Sequence, residues 1–240
     1  MTTEPDPRTA PVRILLVHGS CHGGWCWEEV VGPLEERGWL VSAPDLPLTS
    51  FFDDAEAVEQ EIAAAKARGE RVVAVGHSYG CPVITQGGDD ADHLVICAGP
   101  VPDIGETVDD ERAVTPEVMP ADVYLPGGMF TLDPERAVAG FFHRCTPEQA
   151  RRAGERMRPM PAASFTEHVT KAAWKHVPTS YIVTTDDHAF GTSFQRSLLP
   201  RVRDYVEFDC DHSLFYSATD QLVARLDEIA TEVAARGESA

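Results

Sequence analysis

Runs of apolar, mostly β-branched residues recur along the chain, separated by segments with helical periodicity. Six runs have the length of buried strands: "RILLVHG" from Arg13, "GWLVSAPD" from Gly38, "RVVAVGHS" from Arg71, "HLVICAG" from His93, "TSYIVTTD" from Thr179 and "DYVEFDC" from Asp204. They are continuous rather than alternating, which is the pattern of strands covered on both faces. Between them, "WCWEEVVGPLEERG" and "DDAEAVEQEIAAAKARGE" read as helices that stop at a glycine. A last helix is expected from about Ser217 to Arg236, with Leu222, Leu226, Ile229 and Val233 turned to the sheet. Strand–helix alternation of this kind predicts a three-layer α/β fold around a mostly parallel sheet with right-handed crossovers. The core is expected at 12–100 and 179–240, one domain in all, after a flexible N-terminus at 1–11.

Residues 101–178 break the rhythm. They hold no convincing strand pattern but two helix starts. In "LDPERAVAGFF", Asp133 is the expected N-cap and Pro134 the first helical residue. In "TPEQARRAGERM", Thr146 and Gln149 match a capping box. A helical insertion after a central strand predicts a lid over the sheet's carboxyl edge, where α/β sheets bind ligands.

Composition narrows the partners. With 39 acidic against 20 basic residues, the formal charge is −19, so a polyanionic nucleic acid would be repelled. No run approaches the roughly 18 apolar residues of a membrane span. The start "MTTEPDPRTAP" lacks the apolar core of a secretion signal. The six cysteines are therefore expected as reduced, mostly buried thiols in a cytoplasmic protein. Cys21, His22 and Cys26 are close together, but no second ligand pair follows at metal-site spacing. Neither a metal nor a cofactor is expected. Richness in Ala, Arg, Pro and Val suggests a high-GC bacterial coding sequence. A homodimer is left open.

The candidate chemistry starts at Ser78 in "VGHSYG", a Gly-x-Ser-x-Gly motif between a strand and a helix. That order suits a strained elbow that exposes a nucleophile at the sheet's edge, with glycines sparing neighbouring Cβ atoms a clash. A serine hydroxyl needs a general base, itself oriented by a third group. His212 in "DCDHSLF" follows the last strand, at the correct edge. "TSYIVTTDDHAF" ends the preceding strand with two acids; Asp187 is favoured as the third group and Asp186 is the alternative. His188 is expected to be a solvated loop residue. Backbone N–H groups of Tyr79 and of Ser20, in the loop "LLVHGSCHGGWCW", are the expected oxyanion donors.

Together "LLVHGSCHGGWCW", "VGHSYG", "YIVTTDDHAFGTSFQ" and "CDHSLF" resemble the plant methylesterase and hydroxynitrile lyase branch of the α/β-hydrolases, and its bacterial relatives. The resemblance covers roughly Val12 to Pro100 and Thr179 to Ala230 and is loose in the lid. It implies the α/β-hydrolase fold and supports Asp187, since the branch uses the second acidic residue of that strand-end motif. Lyases of the branch carry a threonine and a lysine where this chain has Gly19 and Ser213, which argues against cyanohydrin cleavage. Cys81 stands where the family commonly has a second glycine. A serine at the elbow argues against epoxide hydrolase and dehalogenase chemistry.

The expected activity is that of a serine esterase or lactonase on a small apolar or aromatic ester, through an acyl-enzyme. His22, Trp25, Phe130, Phe142 and Trp174 are candidates to line the pocket. Two alternatives keep the fold: a non-hydrolytic enzyme of acyl transfer, cyclisation or carbon–carbon cleavage, and a ligand-binding receptor.

Overall fold

The computed structural model describes residues 10–107 and 122–236. The N-terminus expected to be flexible lies outside them up to residue 9, as do the first part of the insertion at 108–121 and the last four residues.

All six expected strands form. They are β1 (Val12–Val17), β2 (Leu40–Ser42), β3 (Arg71–His77), β4 (His93–Cys97), β8 (Thr179–Thr184) and β9 (Asp204–Phe208). They make one sheet in the order β2-β1-β3-β4-β8-β9, and every pair is parallel. Parallel neighbours need crossovers, so helices cover both faces and the central strands are buried at every residue but Arg71 at the start of β3. The helices are α1 (Glu28–Glu36), α2 (Phe51–Ala67), α3 (Gly80–Gly87), α6 (Thr192–Leu198), the short α7 (Leu214–Ser217) and α8 (Thr219–Ala235). The last expected helix is thus interrupted at Ala218, but Leu222, Leu226, Ile229 and Val233 are all buried as their spacing predicts. No helix of the described residues is long and apolar enough to cross a membrane.

The chain steps from β1 outward to β2 and returns to the other side of β1 with β3. Strand order therefore reverses beside β1, and the crevice at the carboxyl ends of β1 and β3 is where such sheets bind ligands. In register, Val17 faces Gly76. The residues just past each, His18–Ser20 and His77–Tyr79, consequently run side by side.

The insertion between β4 and β8 differs from its expected all-helical form. Both expected helices are present, α4 (Pro134–Phe141) and α5 (Pro147–Arg156), with Asp133 accepting from the Arg136 N–H and Thr146 and Gln149 closing a capping box. Alongside them stand three short antiparallel strands, β5 (Asp122–Leu125), β6 (Met129–Leu132) and β7 (Met160–Pro161). Strands of two to four residues are too short to show alternation. The β5–β6 turn rests on Gly127 and Gly128 at φ of 78° and 76°, a left-handed conformation that glycine adopts without a Cβ penalty. The insertion closes on the sheet's carboxyl edge: the Arg158 N–H donates to the Cys21 carbonyl and the Arg144 N–H to Asp211.

Candidate active site

Ser78 follows β3 with φ of +53°, a left-handed conformation that costs an ordinary residue of order 1–3 kcal/mol. Its neighbours make that turn fit. A Cβ on Gly76 would stand 2.5 Å from the Gly80 carbonyl, and one on Gly80 would stand 2.6 Å from the Val17 carbonyl. Both glycines of the motif are needed because β1, β3 and α3 meet backbone to backbone. Cys81 fills the next position with its thiol donating to the Gly76 carbonyl at 3.1 Å. It tightens the elbow rather than loosening it, and Gly99 accommodates it: a Cβ there would lie 2.5 Å from the sulfur.

His212 and Asp187 are buried together, with Nδ1 2.8 Å from the Asp187 Oδ2. The carboxylate is tightly held. Oδ1 accepts from the Ala189 and Phe190 N–H groups, and Oδ2 from the Thr184 hydroxyl and the Gln195 amide. With Nδ1 so engaged, Nε2 of His212 is enclosed and has no hydrogen-bond partner among the described residues. Asp186 instead faces solvent, 3.2 Å from His143 Nε2. His188 is not simply solvated, since its ring stacks on His143 at 3.8 Å.

The loop after β1 is set by two neutral histidines. His18 accepts the Leu46 N–H at Nε2, so its Nδ1 carries the proton and donates to the Gly19 carbonyl at 2.9 Å. The His22 N–H donates to the same oxygen. In a trans peptide the C=O and N–H point opposite ways, so fixing the Gly19 carbonyl fixes the Ser20 N–H on the other side. The Ser78 carbonyl is likewise tied to the Cys81 N–H, which sets the Tyr79 N–H. Neither N–H donates to another backbone carbonyl among the described residues. Burial pushes both His18 and His22 down to about 4, so neither carries charge near neutrality.

Of the pocket candidates, His22 and Phe142 are almost fully enclosed. His22 donates to the Ser20 carbonyl, stacks on the half-buried Trp25 and meets Phe142 at 5.9 Å. Phe130 reaches the elbow through Phe165, which packs 5.5 Å from Tyr79. Trp174 is elsewhere: its indole N–H donates to the Pro102 carbonyl, and its ring faces Lys175 and Arg201.

Phe141, rather than its neighbour Phe142, lies against His212, at 4.9 Å. Three contributors went unread in the sequence. His77 donates from Nε2 to the His212 carbonyl. Gln195 braces the acid, and Asp54 accepts from the Tyr79 hydroxyl at 2.8 Å. A polar residue inside an otherwise apolar strand or helix face was the available signal for His77 and Gln195.

This chain belongs to the α/β hydrolase family, whose model matches residues 14–225. Norfluorocurarine synthase 1 from Strychnos sp is 26% identical over 255 residues, covering 91% of this chain and 95% of that protein. Putative methylesterase 15 of Arabidopsis thaliana is 26% identical over 260 residues, 90% of this chain and 56% of its own length. The solved structure of polyneuridine aldehyde esterase superposes with a TM-score of 0.81 at 21% identity, over 92% of this chain and 99% of that one. Methylesterase 3 of Arabidopsis thaliana is 38% identical over 78 residues, 28% of this chain and 30% of that protein.

Proposed function

We propose that the protein is a serine esterase that hydrolyses small apolar or aromatic carboxylic esters or lactones through an acyl-enzyme. The observation that carries this reading is the buried His212–Asp187 bond of 2.8 Å, which leaves His212 Nε2 free at the edge where the elbow presents Ser78.

In this mechanism His212 Nε2 takes the proton from Ser78 Oγ as the oxygen attacks the ester carbonyl. Asp187 holds the ring in the Nδ1–H tautomer and stabilises its charge once protonated. The Ser20 and Tyr79 N–H groups receive the oxyanion; one such donor is typically worth about 2.7–4 kcal/mol in the transition state. The protonated His212 then hands its proton to the leaving alkoxide. Water, deprotonated by the same ring, releases the acid and restores Ser78. His22, Phe141 and Phe142 give the site an apolar, aromatic rim, which favours an apolar acyl or alkyl group. The reading places the protein in the cytoplasm, a reducing compartment in which buried thiols persist.

The test is hydrolysis of p-nitrophenyl acetate and butyrate by the wild type and Ser78→Ala, with intact-mass detection of a serine-reactive phosphonate. Turnover and labelling should both vanish in the variant. Turnover that survives Ser78→Ala would sink the serine mechanism. Labelling of Ser78 without turnover of simple esters would favour the non-hydrolytic alternative, which a relative named as a synthase makes the leading rival.

A further inference from the structure

Three side chains able to ligate a metal meet at the seam between the insertion and the loop after β8. His143 lies just beyond α4, and Asp186 and His188 flank Asp187. His143 Nε2 is 3.2 Å from Asp186 Oδ2, and His188 Nε2 is 3.6 Å from Asp186 Oδ1. All three ligand atoms fall within 4.8 Å of one another. With metal–ligand bonds of about 2.0–2.2 Å, two donors on a tetrahedral zinc-class ion stand about 3.4 Å apart. Each histidine nitrogen already stands at about that separation from a carboxylate oxygen, His143 from Oδ2 and His188 from Oδ1.

Orientation supplies an independent observation. His188 Nδ1 lies 3.3 Å from the Ala139 carbonyl. A ring that donates Nδ1–H to a backbone carbonyl presents Nε2 as a lone pair, which is how metal-bound histidines are commonly held. The two rings stack in parallel planes, 3.8 Å and 4° apart, with both Nε2 atoms on the Asp186 side, so a rotation of the side chains turns both lone pairs onto one ion. His143 Nδ1 is enclosed without a partner among the described residues, so that ring can move its proton to Nδ1 and free Nε2.

The surrounding charge also favours a cation. The chain carries a formal −19. The competing positive group, Arg144, lies 3.6 Å from Asp186 but also pairs with Asp209 at 2.5 Å, so it keeps a partner when Asp186 turns to an ion. Two imidazoles and one carboxylate suit zinc, cobalt, nickel or copper rather than magnesium or calcium.

We propose that His143, Asp186 and His188 bind a divalent transition-metal ion of the zinc class, which pins the insertion to the loop carrying Asp187. Water completes the coordination. The ion restrains both sides of the site, because Phe141, two residues before His143, lies on His212 while Asp187 sits between the two core ligands. This site stands whether or not Ser78 acts as the nucleophile.

The test uses the tag-free, metal-stripped full chain at pH 7.5. Zinc chloride is titrated by calorimetry, cobalt(II) is followed by its visible absorption, and thermal melts are recorded with and without zinc. One equivalent should bind and raise the Tm. His143→Ala and His188→Ala should each weaken binding about tenfold or more, since even loss of an outer-shell partner typically costs that much. Both side chains are partly exposed, so the metal-free variants should melt close to the wild type. Cys145, two residues beyond His143, is a thiol outside the proposed set, its sulfur 3.6 Å from Asp211, and Cys145→Ser should bind zinc like the wild type. No binding by the wild type, unchanged affinity in both histidine variants, or loss of binding in Cys145→Ser would each overturn the proposal.

Discussion

His77, the residue before the elbow serine, donates from its ring Nε2 to the backbone carbonyl of His212 at 2.9 Å. The strand that presents Ser78 thereby also anchors the loop that presents the histidine. Both rings are buried, with centroids 4.7 Å apart.

Removing that bond should misplace His212 more than it weakens substrate binding. His77→Ala is expected to lower kcat about 10–100-fold with little change in KM, because small displacements of catalytic groups carry penalties of that size. His77→Gln, which keeps a donor, should recover part of the loss. Steady-state kinetics with a p-nitrophenyl ester reads the split. Equal recovery by His77→Leu would show that packing alone mattered.

The two adjacent acids should separate cleanly. Asp187→Asn swaps an acceptor for a donor beside His212 and disfavours the required tautomer, so kcat should fall about 10⁴-fold. Asp186→Asn changes a half-exposed group and should stay within roughly threefold of the wild type, as surface substitutions usually do. Both variants are compared as metal-stripped protein, where a larger effect at Asp186 than at Asp187 would reassign the acid.

Gly80→Ala puts a Cβ 2.6 Å from the Val17 carbonyl and 2.7 Å from the His18 carbonyl. Backbone cannot yield as a flexible side chain can, so β1 and α3 must part. A loss of roughly 3 kcal/mol or more in urea unfolding is expected, with activity reduced in whatever folds. Stability within 1 kcal/mol of the wild type, about the size of an ordinary substitution, would show that the contact relaxes easily.

Acid should destabilise the protein in a defined window. Burial holds His18, His22 and His93 down to about 4, and His77 further below its ordinary value. Each ring takes up a proton on unfolding, so its stabilisation is complete above the unfolded value of about 6.5 and is lost as pH falls toward 4. One such ring accounts for up to about 3 kcal/mol. Asp54, pushed up to about 6 by burial, opposes them, since it favours the fold as it protonates. His93 lies away from the site, 2.8 Å from the Ser180 hydroxyl. Urea midpoints between pH 7 and 4.5 should fall steeply for the wild type and less steeply for His93→Gln. Identical slopes would mean that His93 does not titrate as a buried ring.

The six core strands and the elbow were legible because their signals are local. A strand covered on both faces must be continuously apolar, and a left-handed serine turn pressed against β1 must be flanked by residues without a Cβ, so "RVVAVGHSYG" announces itself. The helix starts at Asp133 and Thr146 were legible for the same reason, since a cap is completed within four residues. The short strands of the insertion were not, because two to four residues carry no period and their pairing is decided by the partner strand. Nor could spacing separate Asp187 from Asp186: adjacent residues at a strand end differ only in which way the chain turns next. The tertiary structure turns Asp187 inward, onto Gln195, Thr184 and His212, and leaves Asp186 to the histidines at the surface. What the sequence determined was the set of groups on the sheet's carboxyl edge. Which of them face one another, Phe141 on His212 or His77 beneath its loop, was decided by long-range packing that no stretch of chain contains by itself.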